Sequence, residues 1–571
     1  MKLSGAQILC ESLVREGVEV IFGFPGGSVL PLYDSLPQYP QLRHILVRHE
    51  QGAAHAADGY ARVTGKAGVC FATSGPGASN LVTGIANAHL DSVPMVAITG
   101  QVARQFIGKD AFQETDITGI TVPITKHNYL VRRAEDLAVT IKEAFYLATT
   151  GRPGPVLIDI PRDVFTEQAN FNYPAKVNLP GYQPKIHGHP LQIKKAVKLI
   201  NESERPVIIA GHGALIAQAC DELKQMAEKI QAPVVRTLLG AGCFPESHVL
   251  SLGMLGMHGT AYANLAVDSA DLVIAIGMRF DDRATAKVSG FASRAQIIHI
   301  DIDPAEIGKN LKITVPIVGD AKNVLQALNG KIEDQTHIEW IQQMDEWCHE
   351  HPVTADKNST ALLPQYVVQQ IYEATGGNAI ITTGVGQNQM WAAQYYCYEK
   401  PNTLISSGGL GTMGFELPAG IGAKVGCPDD TVWTIAGDGG FQMTLQELAT
   451  AVQDDIAVKI AILNNGYLGM VRQWQELFYG RRYVATPLTG PDFVKIAEAY
   501  GVPAIRVVAK SEVGPAIRQA MNTPGPFLID FQVEPEENVY PMVAPGSAIA
   551  ELIEEPRDRV VMGESRGISN L

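Results

Sequence analysis

Paired cysteines are missing from this sequence. Its seven cysteines (Cys10, Cys70, Cys220, Cys243, Cys348, Cys397, Cys427) never stand in a CxxC spacing. That argues against a disulfide framework or a thiolate zinc site and fits a reducing compartment. Positive charge is also scarce: 45 Lys and Arg face 59 Asp and Glu, a net charge of -14. Neither nucleic acid nor an anionic membrane surface is then the expected main partner. No apolar run approaches the ~20 residues that span a bilayer. The first residues, MKLSGAQILCESLVREGVEVIFGFPGG, have neither a cationic-then-apolar signal layout nor a basic, acid-poor transit character, so a cytoplasmic location is expected. HEQGAAH is not a zinc-protease helix, because His49 and His55 are six positions apart and not four.

What is present is an ordinary globular balance, 46% apolar and 18% charged, in a chain of 571 residues. That length is too great for one core, and about three domains are expected. Short apolar runs, glycine turns and amphipathic helices alternate throughout, the grammar of doubly wound parallel α/β sheets. We place the domains at 1–170, 190–330 and 360–540, with a tail at 541–571. The Pro/Gly-rich stretch 171–190 reads as a linker, and KIEDQTHIEWIQQMDEWCHEHPVTADKNST as a polar helical connection. The first and third units repeat one plan. VCFATSGPGASNLVTGIANAHLDSVPMVAITG (69–100) parallels VWTIAGDGGFQMTLQELATAVQDDIAVKIAILNN (432–465), but only the second carries an Asp in its glycine turn and a closing Asn-Asn.

In that second copy the pattern predicts a strand over 432–436, a helix over about 443–453 and a parallel strand over 457–463. A crossover of this kind returns the chain in the same direction, so Asp438 and Asn465 meet at the carboxyl edge of the sheet, where ligands of open α/β sheets bind. Gly437 and Gly439 allow close backbone approach, and the following helix offers its N-terminus to phosphate. A carboxylate and an amide oxygen beside a phosphate suit Mg²⁺, which takes few protein ligands. Either turn alone is an ordinary strand connection. A second acid, Glu50 in ILVRHEQGAAHAADGYAR, follows a strand and opens a helix whose Gly and Ala positions leave room for an apolar ring. Its plainer reading is a glutamate favoured by the dipole of a first helical turn.

The GDG…NN arrangement resembles the diphosphate motif of thiamine diphosphate enzymes. IFGFPGGSVLPLYDSL, RHEQGAAHAADGYARVTGKAGV, TSGPGASNLVTGIANAHLDSVPMVAITGQV and GLGTMGFELPAGIGAKVG resemble the large catalytic subunits of the acetolactate (acetohydroxyacid) synthase family, over essentially the whole chain. The resemblance implies N-terminal pyrimidine and C-terminal diphosphate domains flanking a Rossmann-like FAD domain. It implies thiamine diphosphate held through Mg²⁺ by Asp438, Asn465 and the Tyr467 carbonyl, within the turn Gly437–Gly440. Glu50 activates the cofactor, Met413 bends it, and the Gly411 carbonyl accepts from its amino group.

FAD is implied along Arg152, Gly211, Gly213, Thr237, Met257, His258, Gly277, Arg279, Asp301 and Asp320; the net chemistry of acetolactate formation gives no physical reason for it. Gly27, Phe112 and Gln113 match positions lining the reaction centre. Met470, Val471 and Trp474 share a helical turn and read as core or as a pocket wall. Family members use the position of Trp474 to select the acceptor. Arg283 is expected to bind the acceptor carboxylate as a bidentate partner, its alternative being a salt bridge to Asp281 or Asp282. Arg162 stands where the pattern more often has Lys.

The implied reaction decarboxylates pyruvate and joins the two-carbon unit to pyruvate or 2-oxobutyrate, toward the branched-chain amino acids. A homodimer or dimer of dimers and a separate small regulatory subunit are the implied partners. The alternatives are a flavin-linked pyruvate oxidase on the same domains and a non-catalytic homologue.

Overall fold

The computed structural model describes residues 1–353 and 359–554. Three six-stranded sheets, parallel throughout, carry the chain. The N-terminal sheet runs Arg43–Leu46, Val20–Gly23, Gly68–Ala72, Met95–Gln101, Pro155–Pro161, His127–Leu130. The C-terminal sheet runs Leu404–Ser406, Ile380–Thr383, Val432–Gly437, Val458–Asn464, Phe527–Gln532, Ala504–Val507. Numbered along its own segment, each has the order 2-1-3-4-6-5, so the internal repeat of the sequence is a repeat of topology. Between them lies a sheet of order 3-2-1-4-5-6, that of dinucleotide-binding doubly wound folds. Central strands such as Val432–Gly437 are apolar on both faces because helices cover both. A short antiparallel pair, Lys2–Ser4 with Gln168–Asn170, ties the two ends of the N-terminal unit together.

The armed glycine turn differs from expectation. The helix begins at Asp438 itself and runs only to Thr444, and a 3₁₀ turn, Leu445–Glu447, separates it from Leu448–Gln453. Glu447 is drawn out of a regular helix by bonds to the N-terminal domain, described below. The connection near 340 is helical, Ile338–Glu350, and buries Trp340 and Met344 in the middle domain's core. Residues 542–553 form a small hairpin, and Ile549 is buried in that same core. Part of the expected tail, 555–571, lies outside the described residues. Among the described residues no helix is long and apolar enough to cross a membrane.

The N- and C-terminal domains dock through helices Glu50–Thr64 and Glu416–Gly426. A Cβ on Gly59 would overlap the Ala419 carbonyl, and one on Gly422 would overlap the Ala56 carbonyl oxygen. The small residues after Glu50 therefore seat one backbone against another; they do not leave space for a ring. A buried polar lock lies alongside. Arg62 reaches Asp58 (2.6 Å) and Asp91 (2.8 Å), and Asp91 also accepts from the backbone N–H groups of Gly408 (3.0 Å) and Gly409 (2.6 Å).

Gly422→Ala should force these helices apart and lower the unfolding free energy by roughly 1–3 kcal/mol. Gly181→Ala, at a site with no atom within 4 Å, should change it little; urea titration of both variants checks this.

Candidate active site

Strands Val432–Gly437 and Val458–Asn464 are neighbours, paired in register from Val432↔Val458 to Gly437↔Leu463. Asp438 and the Asn464–Asn465 pair consequently leave the sheet side by side. Asp438 is buried and its Oδ2 has no hydrogen-bond partner. Burial pushes its pKa up to about 7, against the backbone N–H groups of Gly439 and Gly466. Asn465 is buried too: its Oδ1 accepts from the Tyr467 N–H (3.1 Å) and its Nδ2 donates to Gln387 Oε1 (3.2 Å). Among the described residues no three His, Cys, Asp or Glu side chains gather to hold a metal. One carboxylate and one amide oxygen are of the sparse oxygen type that suits Mg²⁺ with phosphate and water completing its shell.

The floor of this turn is glycine. A Cβ on Gly439 would lie 3.5 Å from the Met413 Cε, so Met413 stands over the Asp438 turn. Gly411, at φ +74°, is on the same loop. On the other side, Glu416 is wedged between Gly384 and Gly440. It is fully buried, neither carboxyl oxygen reaches a partner, and burial pushes its pKa up to about 7. Sequence reasoning passed over Glu416, since one Glu opening a helix carries no signal.

Glu50 is the first residue of helix Glu50–Thr64, buried, with its Oε2 accepting from Asn80 Nδ2 (2.9 Å). A Cβ on Gly77 would lie 3.1 Å from its Oε1, and one on Gly75 would lie 2.7 Å from the Gln113 carbonyl oxygen. The loop holding Gly27 is tied to this edge through Ser28 Oγ and Thr73 Oγ1, 2.9 Å apart. Glu50, Gln113 and Gly27 thus share the carboxyl edge of the N-terminal sheet, with Phe112 89% exposed beside them. None of the four lines the cavity described next. Phe24, Leu30 and Phe106 on this edge, and Leu410, Met443 and Val471 in the C-terminal domain, are also exposed apolar side chains.

A cavity of about 1610 Å³ runs from the middle domain to the C-terminal domain. Arg152, Gly213, Thr237, Met257, His258, Gly277, Arg279, Arg283, Asp301 and Asp320 line one part; Gly411, Met470, Val471 and Trp474 line the other. Gly211 and Gly213 press on Gly277 so closely that a Cβ on either would strike its backbone, at the switch point between the first and fourth strands of the sheet. Asp301 ends a strand, and burial pushes its pKa up to about 6. Asp320 caps helix Ala321–Asn329 by accepting from Asn323 N–H (3.1 Å). Burial lowers His258 to about pKa 4 and its Nδ1 has no partner, so its ring is neutral. Arg152 is already paired with Glu306 (2.7 Å) and Asp303 (3.2 Å).

Arg283 and Trp474 come from different domains and meet, the guanidinium 5.8 Å from the centre of the indole-bearing side chain's ring. The alternative reading of Arg283, a salt bridge to Asp282, is present in the structure, and its Nη1 also donates to Met257 Sδ (3.2 Å). Its contact with Asp282 is 3.6 Å between exposed side chains, worth little, while Asp281 caps the short helix that carries Arg283. Arg162 is exposed on helix Arg162–Thr166.

Residues 3–120, 193–328 and 384–531 match the families described as the N-terminal TPP binding, central and C-terminal TPP binding domains of thiamine pyrophosphate enzymes. These three matches, over the three parallel sheets, define the class, a thiamine pyrophosphate enzyme. Over 564 residues the chain is 51% identical to acetolactate synthase of Mycobacterium bovis, covering 96% of this chain and 91% of the relative. It is 52% identical to the acetolactate synthase large subunit of Corynebacterium glutamicum, covering 96% and 90%. A probable acetolactate synthase large subunit of Methanocaldococcus jannaschii is 51% identical, covering 97% and 96%. The chain belongs to the acetolactate synthase large-subunit family.

Glu416 yields a pH prediction for the cofactor-free protein. Its folded pKa of about 7 stands above the ordinary 4.5, so between those values the native state holds a proton that the unfolded chain has lost. Its contribution to stability is present below that window and falls as pH rises through it. Glu416→Gln should remove this loss and gain about 3 kcal/mol over wild type at alkaline pH, with little gain in acid; urea titrations at the two extremes check it.

Proposed function

We propose that this chain is the catalytic subunit of an acetolactate synthase. It converts two pyruvates to 2-acetolactate and carbon dioxide, or pyruvate and 2-oxobutyrate to 2-aceto-2-hydroxybutyrate, on the route to the branched-chain amino acids. The observation that carries the reading is the buried, unpartnered Asp438 oxygen beside Asn465, because a fold keeps such a group where a ligand completes it.

When bound, thiamine diphosphate supplies the electron sink that lets a 2-keto acid lose carbon dioxide. Asp438, Asn465 and the Tyr467 carbonyl would hold Mg²⁺, and the turn Gly437–Gly440 would take the diphosphate of the cofactor. Met413, beside Gly439, would support the cofactor, and the Gly411 carbonyl would accept a hydrogen bond from its amino group. Glu50 would hold the proton shared with the pyrimidine ring. Burial and the Asn80 contact support that role, since they keep the carboxyl out of bulk water. Gln113, Gly27 and Phe112 border the reacting atoms. Arg283 binds the acceptor's carboxylate against Trp474, and Met470 and Val471 complete that wall. The Gly211–Gly213–Gly277 cradle, with Asp301, Thr237, Met257, His258, Arg152, Arg279 and Asp320 around it, would hold FAD.

A homodimer completes the centre, the Glu50 edge of one copy meeting the Gly411–Trp474 face of another, and two dimers can pair. Exposed apolar side chains at both faces support this, as does the placing of Glu50 outside the cavity that Gly411 lines. The relatives' names specify a large subunit, which supports a small regulatory partner. Seven unpaired cysteines support a cytoplasmic setting.

The purified chain, given pyruvate, thiamine diphosphate, Mg²⁺ and FAD, should form acetolactate without oxygen uptake, and acetohydroxybutyrate when 2-oxobutyrate is added. Oxygen consumed in step with pyruvate would instead identify a flavin-linked oxidase.

A further inference from the structure

The acid at Glu50 is held from outside its own domain. Only Val47, Arg48 and His49 separate the strand Arg43–Leu46 from the helix that Glu50 begins. The N–H groups of Arg48 and His49 have no partner within that connection; both donate to the carboxylate of Glu447 (3.1 and 3.0 Å). Glu447 belongs to the C-terminal domain and is almost fully buried. Its Oε2 also accepts from Thr450 Oγ1 (2.7 Å). The Arg48 side chain reaches the same element, donating to Gln453 Oε1 (2.8 Å). A Cβ on Gly52 would stand 2.5 Å from Glu447 Oε1, so the carboxylate lies flat against the first turn of the Glu50 helix.

We propose that Glu447 is a positioning residue for Glu50: its carboxylate grips the two peptide N–H groups just before the helix and so fixes where the helix starts and where the Glu50 carboxyl stands. The inference rests on the reading of Glu50 as the acid that activates the cofactor. Backbone donors at a helix start are otherwise unsatisfied, and a charged acceptor holds them more strongly than a neutral one. An ångström of displacement at a proton-sharing group costs about 100-fold in rate, so a clamp at this point has leverage on chemistry as well as on stability. The 3₁₀ turn Leu445–Glu447 is accounted for by the same contact. The run of chain that starts at Asp438 bends there to deliver Glu447 to the other domain.

The readout is exchange of the C2 proton of bound thiamine diphosphate for deuterium, followed by quenched-flow NMR on the full chain with saturating cofactor and Mg²⁺ and no substrate. Glu447→Gln should slow exchange about 10-fold or more while cofactor still saturates. Gly52→Ala, which leaves Glu447 in the chain but displaces its carboxylate, should do the same. In cofactor-free protein the Arg48 and His49 amides should lose hydrogen-exchange protection in both variants. Wild-type C2 exchange in the folded variants, with only thermal stability lowered, would make Glu447 a domain clamp and overturn the proposal. Glu50→Gln is the separating control. If it exchanges at the wild-type rate, the reading of Glu50 fails; if it is slow while Glu447→Gln and Gly52→Ala are normal, only the positioning role fails.

Discussion

A parallel crossover that sets Asp438 beside Asn465 is the constraint on which the rest of this molecule depends. The two residues are far apart in sequence and meet because adjacent strands in register must end at one edge. What stands there would be unfavourable in a closed protein core: a buried carboxylate with an oxygen facing no donor. Isolated buried charge is costly unless it is paired or coordinates a metal. The site therefore has the properties of half an interaction, while the glycines beneath it are packed against Leu468, Leu488, Met413 and Glu416 of the same chain.

The duplicated topology gives this half-site its counterpart. The N-terminal sheet has the same strand order as the C-terminal one, yet its carboxyl edge offers a buried acid, Glu50, in place of the Asp438–Asn465 pair. Two copies of one architecture, both matching thiamine pyrophosphate binding domains, thus carry different polar residues at the same edge. The middle domain adds a third surface through Arg283, which reaches Trp474 across a domain boundary. The Arg283 guanidinium is also tied within the middle domain, to Met257 Sδ (3.2 Å) and Asp282 (3.6 Å).

Local and periodic features of this arrangement were legible in the sequence. Apolar runs between glycine turns marked the three sheets, the repeat of 69–100 in 432–465 marked the duplication, and GDG with NN marked two adjacent strand ends. Contacts between distant segments were not. Asn80 on Glu50, Gln387 on Asn465, Glu447 on the Arg48 and His49 backbone, and Arg62 on Asp91 all join residues whose pairing no spacing encodes, whereas Arg62 on Asp58 is an i,i+4 pair within one helix. The Gly and Ala positions after Glu50 were misread for a physical reason. Small residues signal close approach, but not whether a ligand or the chain itself approaches, and here it is the Glu447 side chain at Gly52 and the helix Glu416–Gly426 at Gly59. The helix at Asp438 began earlier than its apolar periodicity indicated, because Gly439 and Gly440 belong to its first turn without contributing apolar signal.

The central claim is that each reaction centre joins the Glu50 edge of one chain to the Asp438 edge of another. Mixing two inactive variants, Glu50→Gln and Asp438→Ala, after dissociation tests it most directly. Random reassociation makes half of the dimers hybrid, each with one intact centre, so about a quarter of wild-type activity should return. If the mixture stays as inactive as its components while wild-type chains recover fully from the same treatment, both residues serve a centre within one chain, and the account is contradicted.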